Sequence, residues 1–247
     1  DTRPRLVTET SAYELLKKSG WTPQVVAADE EMNIALFEWI DGVPISAGTD
    51  SLIDQCLLFS AYLKKVYCRV GHSHAPASEA CLSRLACAGQ IEERIKKLRL
   101  IENHELRYAL DTVIVPLSNE TMAWSERNWP GSDSVETLRE NQQTLSPSDF
   151  GLHNALKVAD GSVRFLDFEY FGRDDPVKLA ADFAWHPAMS LSRAHKRRWI
   201  TGVLALFGDT DTVRQRFRAA WPLFGIRWAL ILLNEYLDDG WKKRRNA

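Results

Sequence analysis

The sequence contains no apolar run that approaches the roughly 18 residues of a membrane-spanning helix. It also lacks an excess of positive charge, because 31 lysines and arginines face 33 aspartates and glutamates, which gives a formal net charge of -2. A dedicated nucleic-acid-binding protein would carry a strongly basic surface. We therefore expect a soluble protein with no membrane span and no nucleic-acid partner.

Cysteine is scarce, and its four occurrences show no Cys-x-x-Cys spacing. Most of them lie beside apolar residues in helical patterns, which favours buried free thiols over a zinc site or a disulfide framework. The expected compartment is therefore a reducing cytoplasm. With 247 residues and 45% hydrophobic content, the chain can bury a substantial core, either as one large domain or as a small lobe joined to a larger one.

The residues suited to chemistry are concentrated between Leu145 and Trp185. Asp149 and Asn154 stand five positions apart in a loop that contains Gly151. Their side chains carry the oxygen atoms that a hard cation such as Mg²⁺ prefers. This loop is therefore the first part of a candidate metal and substrate site.

A predicted hairpin supplies a third residue, Asp167. Two short strands, Ala155–Val158 and Val163–Leu166, flank an Asp-Gly pair at 160–161, which suits the positive backbone angles of a tight turn. Because a hairpin returns its far end to its start, we expect Asp167 beside Asn154. The two side chains would then lie within reach of one magnesium ion.

Each of these residues, taken alone, also has a structural explanation. Asp149 would cap the turn at residues 150–151, Asn154 would adopt a left-handed turn conformation, and Asp167 would close a strand. The joint spacing, together with the residues downstream, favours one shared site over three unrelated turn residues.

The pattern Asp-x-x-x-x-Asn, followed by Asp after a hairpin, resembles the aminoglycoside phosphotransferase and choline kinase family. The loop of that family runs roughly His-Gly-Asp-x-x-x-x-Asn, and its second motif is an apolar strand that ends in Asp, here FLDFE at 165–169. Pro147 and Ser148 stand where the family usually has His and Gly. Asp175, which precedes a proline, and Asp182 match a further signature of the family, and the resemblance implies that Asp175 opens a helix and that Asp182 ties back to the loop.

The resemblance implies a division of roles. Asp149 would orient a substrate hydroxyl and accept its proton, whereas Asn154 and Asp167 would hold Mg²⁺. The residues implied to support the site are Ser148, Asp175 and Asp182.

On the nucleotide side, the resemblance implies that Glu9 pairs with a phosphate-binding lysine. The alternative is that Glu9, in the first turn of a helix from Thr8 to Ser19, complements the positive end of that helix. Glu38, Trp39 and Ile40 would form a hinge whose main chain meets an adenine ring, although Trp39 is alternatively a core residue. No glycine-rich phosphate loop or strand lysine precedes Glu9 in this chain. We expect that the natural protein begins further upstream. The alternative is that this protein has lost the ability to bind nucleotide tightly.

The fold implied is α+β, a protein-kinase-like two-lobed fold with a reduced strand-bearing N-terminal lobe and a large helical C-terminal lobe. Residues 1–42 would form the partial N-terminal lobe and hinge, and residues 43–247 the helical lobe with the catalytic hairpin. In the smaller lobe, strands are predicted at Gln24–Ala28 and Ile34–Ile40.

Apolar periodicity predicts the helices of both lobes. Pro116 is expected to end the fourth helix, and residues 119–134 to be irregular, with Trp124 and Trp129 either lining a pocket or filling the core. The predicted helices are Thr8–Ser19, Ser51–Tyr67, Ser78–Leu100, Glu105–Val115, Pro176–Trp185, Arg193–Phe207, Thr210–Trp221 and Pro222–Leu237.

The function implied is transfer of the terminal phosphoryl group of ATP, or of another nucleoside triphosphate, to a hydroxyl of a small molecule such as a sugar, an aminoglycoside or an amino alcohol. Mg²⁺ would be the cofactor. The rival hypothesis is a catalytically silent kinase-fold protein that binds or scaffolds. Pro147 and the missing phosphate loop favour the rival, and the intact pair of Asn154 and Asp167 opposes it.

Overall fold

The structure is a computed structural model that describes residues 4–70, 73–131, 137–208 and 210–237. The predicted lobes extend to residues 1–3 and 238–247, and the predicted irregular region includes residues 132–134, all of which lie outside the described residues. Helices and short strands occur together, as expected of an α+β chain. None of the described helices has the length and apolar character needed to cross a membrane.

The elements follow one another in a mixed order. The helices are α1 (Arg5–Leu16), α2 (Asp50–Val70), α3 (Arg84–Arg99), α4 (His104–Ala109), α5 (Val115–Asn128), α6 (Pro176–Trp185), α7 (Arg193–Leu206) and α8 (Asp211–Leu232). The strands are β1 (Val25–Asp29), β2 (Ile34–Phe37), β3 (Gly42–Pro44), β4 (Thr144–Ser146), β5 (Ala155–Val158), β6 (Val163–Phe165) and β7 (Gly172–Asp174).

The strands form small antiparallel sheets. β1 pairs with β2, β5 lies between β3 and β6, and β4 pairs with β7. The predicted strands before residue 41 correspond to β1 and β2, and the predicted hairpin corresponds to β5 and β6, with Gly161 at φ 85° in its turn. The sequence patterns do not predict β3, β4 or β7, because strands of 3 residues are too short to show alternation.

Helix α1 begins at Arg5, before the predicted start at Thr8. Pro4, with φ -68° and ψ 104°, precedes the first turn, and its carbonyl accepts the N–H of Thr8 at 3.1 Å. Glu9 therefore lies in the second turn, and the alternative that it complements the helix end from the first turn is wrong. Helix α3 begins later than predicted, at Arg84, because Ser83 caps it.

Two prolines expected to end helices do not do so. At Pro116 the chain continues from α4 through a π-helical turn, Leu110–Ile114, into α5, whose first turn accommodates the proline. The prediction of an irregular segment is therefore wrong as far as Asn128, and Trp124, 47% exposed on α5, does not fill the core. Pro222 lies inside α8, which replaces the two predicted helices, because burial of its neighbouring apolar residues offsets the lost hydrogen bond.

The chain divides into two compact units, Asp1–Ala80 with Arg139–Asp209 and Cys81–Leu138 with Thr210–Ala247. The predicted lobe boundary at residue 42 stays a prediction. Within the second unit, α3 and α5 each pack against α8. The expectation of buried free thiols is confirmed for three cysteines, whereas Cys68 is exposed.

The first unit contains an aromatic cluster, which we define as Phe59, Phe150, Phe165 and Phe168. Phe59 of α2 stacks on Phe165 of β6 with ring centroids 4.6 Å apart, and Phe150 lies 5.1 Å from Phe165. Phe168 meets the edge of Phe59 at 6.1 Å. All four side chains are buried. The cluster therefore joins α2 to the segments on either side of the hairpin.

Gly172 of β7 provides a test of the packing beside the candidate site. A Cβ at this position would lie 2.5 Å from the main-chain N of Ala77 and 2.6 Å from the carbonyl carbon of Pro76, and main-chain atoms cannot rotate away. We expect Gly172→Ala to lower the free energy of unfolding by about 1–3 kcal/mol in urea denaturation. Gly89 is the matched control, because a Cβ in that part of α3 meets nothing within 4 Å. Gly89→Ala should raise the free energy by about 0.5–1 kcal/mol, and equal effects of the two changes would contradict the packing described.

Candidate active site

Asp149 lies in the loop between β4 and β5, and the chain on both sides of it is fixed. On one side, Ser148 has φ 70°, its N–H donates to Ser146 Oγ at 3.0 Å, and its hydroxyl donates to the carbonyl of Ser78 at 3.0 Å. On the other side, Phe150 belongs to the aromatic cluster. The carboxyl side chain of Asp149, 34% exposed, is therefore presented to solvent by a fixed loop.

Asn154 turns its amide nitrogen towards Asp149. Its Nδ2 donates to the main-chain carbonyl of Asp149 at 3.1 Å and lies 3.4 Å from Oδ2. Both partners are acceptors, so the amide nitrogen faces Asp149 and the amide oxygen faces away. That oxygen is of the type that magnesium prefers.

The hairpin brings Asp167 next to Asn154. The N–H of Leu166 donates to the carbonyl of Asn154 at 2.8 Å. Asp167 therefore directly follows a residue that is hydrogen-bonded to Asn154. Asp167 has φ 62°, a left-handed conformation that is unfavourable for a residue other than glycine. Surrounding contacts must hold this turn in place.

Two residues of α1 provide those contacts. The N–H of Asp167 donates to Tyr13 Oη at 3.0 Å, and the Tyr13 hydroxyl donates to Glu9 Oε1 at 3.1 Å. The N–H of Phe168 donates to the same Glu9 oxygen at 3.3 Å. Burial, together with the charge of Glu9, raises the pKa of Tyr13, so its hydroxyl keeps the proton that it donates. Glu9 thus supports the acidic turn, and its pairing with a phosphate-binding lysine stays a prediction.

Asp167 lies among other carboxylates. Burial raises its pKa above the ordinary 3.8, and the charges of Glu169, Glu9 and Asp149 raise it further. Like charges disfavour ionisation unless a cation offsets them. A divalent cation held by the oxygens of Asn154 and Asp167 would do so, and the residues present therefore fit Mg²⁺.

Asp149 has the opposite environment. Burial would raise its pKa, but hydrogen bonds from His153 and His186 outweigh burial and lower the pKa below the ordinary 3.8. The Nε2 atoms of both histidines lie 3.3 Å from Asp149 Oδ1, and the two rings stack with centroids 3.8 Å apart. Asp149 is therefore ionised at neutral pH, as an acceptor for a substrate hydroxyl must be.

The same three side chains have the donor atoms of a zinc site, and these atoms lie within 4.8 Å of one another. The contacts of His186 oppose zinc binding. A histidine binds a metal through the unprotonated lone pair of a ring nitrogen. His186 Nδ1 accepts the N–H of Ala188 at 3.1 Å, so the proton of the neutral ring is on the Nε2 that faces Asp149. The histidines are better explained as hydrogen-bond donors to Asp149.

A buried ionic network braces the loop that carries Asp149. Lys178 Nζ lies 2.8 Å from Asp174 Oδ2, 3.1 Å from Asp182 Oδ2 and 3.4 Å from Ser148 Oγ. The lysine and its two carboxylate partners are 1%, 0% and 5% exposed. The network therefore ties α6 to the residue before Asp149.

The residues predicted to support the site thus have different contacts. Ser148 shapes the loop and contacts Lys178, and Lys178 also contacts Asp182. Asp175 caps α6 by accepting the N–H of Val177 at 2.8 Å.

The predicted hinge residues follow β2. Glu38 is bonded to Gln24, whose N–H donates to Glu38 Oε2 at 3.1 Å. Trp39 is 89% exposed, so the alternative that it fills the core is wrong. Nucleotide binding by Glu38, Trp39 and Ile40 stays a prediction.

Sequence reasoning did not identify four residues that contribute to the site, His153, His186, Lys178 and Tyr13. His153 could have been found, because it lies in the loop four positions after Asp149. Lys178 carries a weaker signal, since an aspartate stands four residues away from it on each side in the sequence. His186 and Tyr13 reach the site only through tertiary contacts.

The whole chain is similar to solved structures of small-molecule kinases. Choline kinase LicA from Streptococcus pneumoniae matches with a TM-score of 0.55 and 16% identity over 95% of this chain and 74% of its own. An aminoglycoside phosphotransferase from Alicyclobacillus acidocaldarius matches with a TM-score of 0.54 and 13% identity over 95% of this chain and 74% of its own.

A third match is the amicoumacin kinase hAmiN in complex with AMP-PNP, Ca²⁺ and Ami, with a TM-score of 0.53 and 15% identity over 96% of this chain and 72% of its own. No family model matches the sequence, and no curated protein matches it. At these identities the similarity establishes the fold. The predicted protein-kinase-like fold of the choline kinase and aminoglycoside phosphotransferase type is confirmed.

Removal of the lysine charge from the buried network should destabilise the protein strongly. Lys178→Met would remove the cation that lies 2.8 Å from the buried carboxylate of Asp174 and 3.1 Å from that of Asp182. We expect the free energy of unfolding, measured by urea denaturation, to fall by about 3–5 kcal/mol. Adding Asp174→Asn and Asp182→Asn to Lys178→Met should restore most of that loss, because no uncompensated charge remains. A loss below about 1 kcal/mol in Lys178→Met would contradict the network described here.

Proposed function

We propose that this protein is an ATP-dependent phosphotransferase that transfers the terminal phosphoryl group to a hydroxyl of a small molecule. The observation that carries the proposal is that Asp149, Asn154 and Asp167 lie close together on a kinase fold. The hydrogen bond from Leu166 N–H to the carbonyl of Asn154 brings Asp167 to the other two residues. The similar structures are, by their names, kinases of choline, aminoglycosides and amicoumacin, which supports a small-molecule acceptor. The cytoplasm, where ATP is available, remains the expected compartment.

The residues of the site have distinct tasks in this reaction. Asp149, kept ionised by its two histidine donors, accepts a hydrogen bond from the substrate hydroxyl and takes its proton as the hydroxyl oxygen bonds to the γ-phosphorus. The bond from that phosphorus to the bridging oxygen breaks at the same centre, and ADP leaves. Asn154 and Asp167 would hold Mg²⁺, which supplies neutralisation of phosphate charge when bound. Positioning and charge neutralisation account for most of the catalysis in such a site.

The second candidate is a kinase-fold protein that binds nucleotide or a partner without turnover. The observation that favours it is Pro147, which stands where similar catalytic loops carry histidine. The buried network of Lys178 braces the loop through Ser148 in place of that histidine. A loop that is braced in this way weighs against the second candidate. A thermal shift with ATP that depends on magnesium would support nucleotide binding, and detection of phosphorylated product would separate the enzyme from the scaffold.

Loss of the Asp149 charge should reduce turnover without unfolding the protein. Asn keeps the size of the side chain and an oxygen that accepts from both histidines, but it does not accept a proton. We expect Asp149→Asn to lower kcat by about 10² or more, measured as magnesium-dependent ATP hydrolysis and as transfer to an acceptor found by screening. Affinity for ATP and the thermal midpoint should remain close to wild type. Near-normal turnover would exclude the role assigned to Asp149.

Asn154 and Asp167 should affect one shared ion. Asn154→Ala and Asp167→Ala are each expected to weaken magnesium-dependent ATP binding about tenfold or more, by calorimetry with and without magnesium. Because the two residues share the ion, the double variant should lose little beyond the worse single variant. Asp167→Asn controls for backbone strain, since asparagine tolerates the left-handed conformation at φ 62°. Unchanged magnesium dependence in both single variants would leave them as turn residues.

A further inference from the structure

The geometry around Asp149 points to His153 and His186 as positioning residues for phosphoryl transfer. We propose that they hold the Asp149 carboxylate through Oδ1, so that Oδ2 faces the substrate hydroxyl. The inference rests on the proposed function and adds two residues to its machinery.

The two histidines meet Asp149 from different parts of the chain. His153 lies in the 3₁₀ turn of the catalytic loop, and His186 follows the end of α6. Each Nε2 lies 3.3 Å from the same oxygen, Oδ1. Their side chains are 16% and 11% exposed, against 34% for Asp149, so both histidines are more deeply buried than the carboxylate that they contact.

The contacts of His186 identify which of its nitrogens carries the proton. The N–H of Ala188 donates to His186 Nδ1 at 3.1 Å, so Nδ1 is an unprotonated acceptor. The proton of the neutral ring is then on Nε2, which donates to Asp149 Oδ1. His186 therefore acts as a donor that orients the carboxylate and has no lone pair at Nε2 to accept a proton from it.

The same tautomer is favoured for His153. Its Nδ1 is buried and has no hydrogen-bond partner among the residues that the structure describes. A proton on Nδ1 would bury an unpaired donor and would also turn the Nε2 lone pair towards a carboxylate oxygen. With the proton on Nε2, His153 donates to Asp149 Oδ1 as His186 does. Stacking of the two rings, 14° from parallel, keeps both donors aimed at one oxygen.

Two donors on one oxygen give the carboxylate a defined orientation. The terminal torsion of an aspartate is otherwise broad, because its two oxygens are chemically alike. With Oδ1 occupied by the histidines, the residues that the structure describes offer Oδ2 only the longer 3.4 Å contact to Asn154 Nδ2. Oδ2 is thus the oxygen that can accept the substrate proton, and it lies on the side of the residue proposed to hold Mg²⁺.

The kinetic test replaces each histidine in two ways. His153→Phe and His186→Phe keep a stacked ring but remove the donor, whereas His153→Gln and His186→Gln keep an N–H donor close to Nε2. Each Phe variant should lower kcat for magnesium-dependent ATP hydrolysis about tenfold with KM for ATP within about twofold, and each Gln variant should recover most of the loss. His195→Phe is the matched control, because this 20% exposed histidine faces Asp50 and not Asp149.

A role through Asp149 predicts a particular pattern of non-additivity. In the Asp149→Asn background, His153→Phe and His186→Phe should cause little further loss, since their effect passes through the carboxylate. An equal loss in that background, an unchanged kcat in the Phe variants, or a large rise in KM with kcat preserved would each overturn the assignment.

Nitrogen-15 NMR of the imidazole groups separates this inference from the proposed function, because it needs no turnover. We expect neutral rings protonated at Nε2 for both histidines, and shifts of both signals in Asp149→Ala while the His195 signal stays in place. If the wild-type protein is active but the signals of His153 and His186 do not shift in Asp149→Ala, the positioning role alone would be overturned. A wild-type chain with no hydrolysis and no transfer would overturn the proposed function and this role with it.

Discussion

Each of the two acidic residues of the site is followed in the chain by a phenylalanine of the aromatic cluster, and this common anchor restricts where both carboxylates lie. Phe150 follows Asp149, Phe168 follows Asp167, and both rings pack against Phe59 of α2 at 5.7 and 6.1 Å. In a close-packed interior a ring of this size cannot leave its place without opening a cavity, at a cost of about 3–5 kcal/mol when it is truncated. The core that stabilises the fold therefore also limits the movement of the site.

The two carboxylates are kept in opposite electrostatic environments. For Asp149, donors from His153 and His186 lower the pKa, whereas burial and neighbouring carboxylates raise the pKa of Asp167. Environments that push the pKa values of two acids apart are typical of sites in which the acids have separate roles. Here the environment of Asp149 suits a residue that receives a proton, and the environment of Asp167 suits a residue that binds a cation. The strained turn at Asp167 agrees with a functional position.

The parts of the molecule that sequence could predict are those determined by local patterns. The hairpin that returns Asp167 follows from an Asp-Gly turn between short strands, and α6 runs from residue 176 to 185 as its Asp-Pro start indicates. Tertiary contacts decided the rest. His186 and Lys178 act across the fold, so their neighbours in sequence do not reveal their partners. Pro116 and Pro222 look like helix ends, yet a π turn and apolar burial allow the chain to remain helical.

The proposed transfer of a phosphoryl group by this chain is tested most directly by a search for phosphorylated product. The wild-type protein would be incubated with ATP, magnesium and pooled hydroxyl-bearing metabolites, and the mixture examined by phosphorus-31 NMR and mass spectrometry. We expect a new phosphate ester that requires both ATP and magnesium, with ADP formed in equal amount. Magnesium-dependent binding of ATP without any phosphorylated acceptor or ADP would contradict the proposal and favour the silent kinase-fold protein.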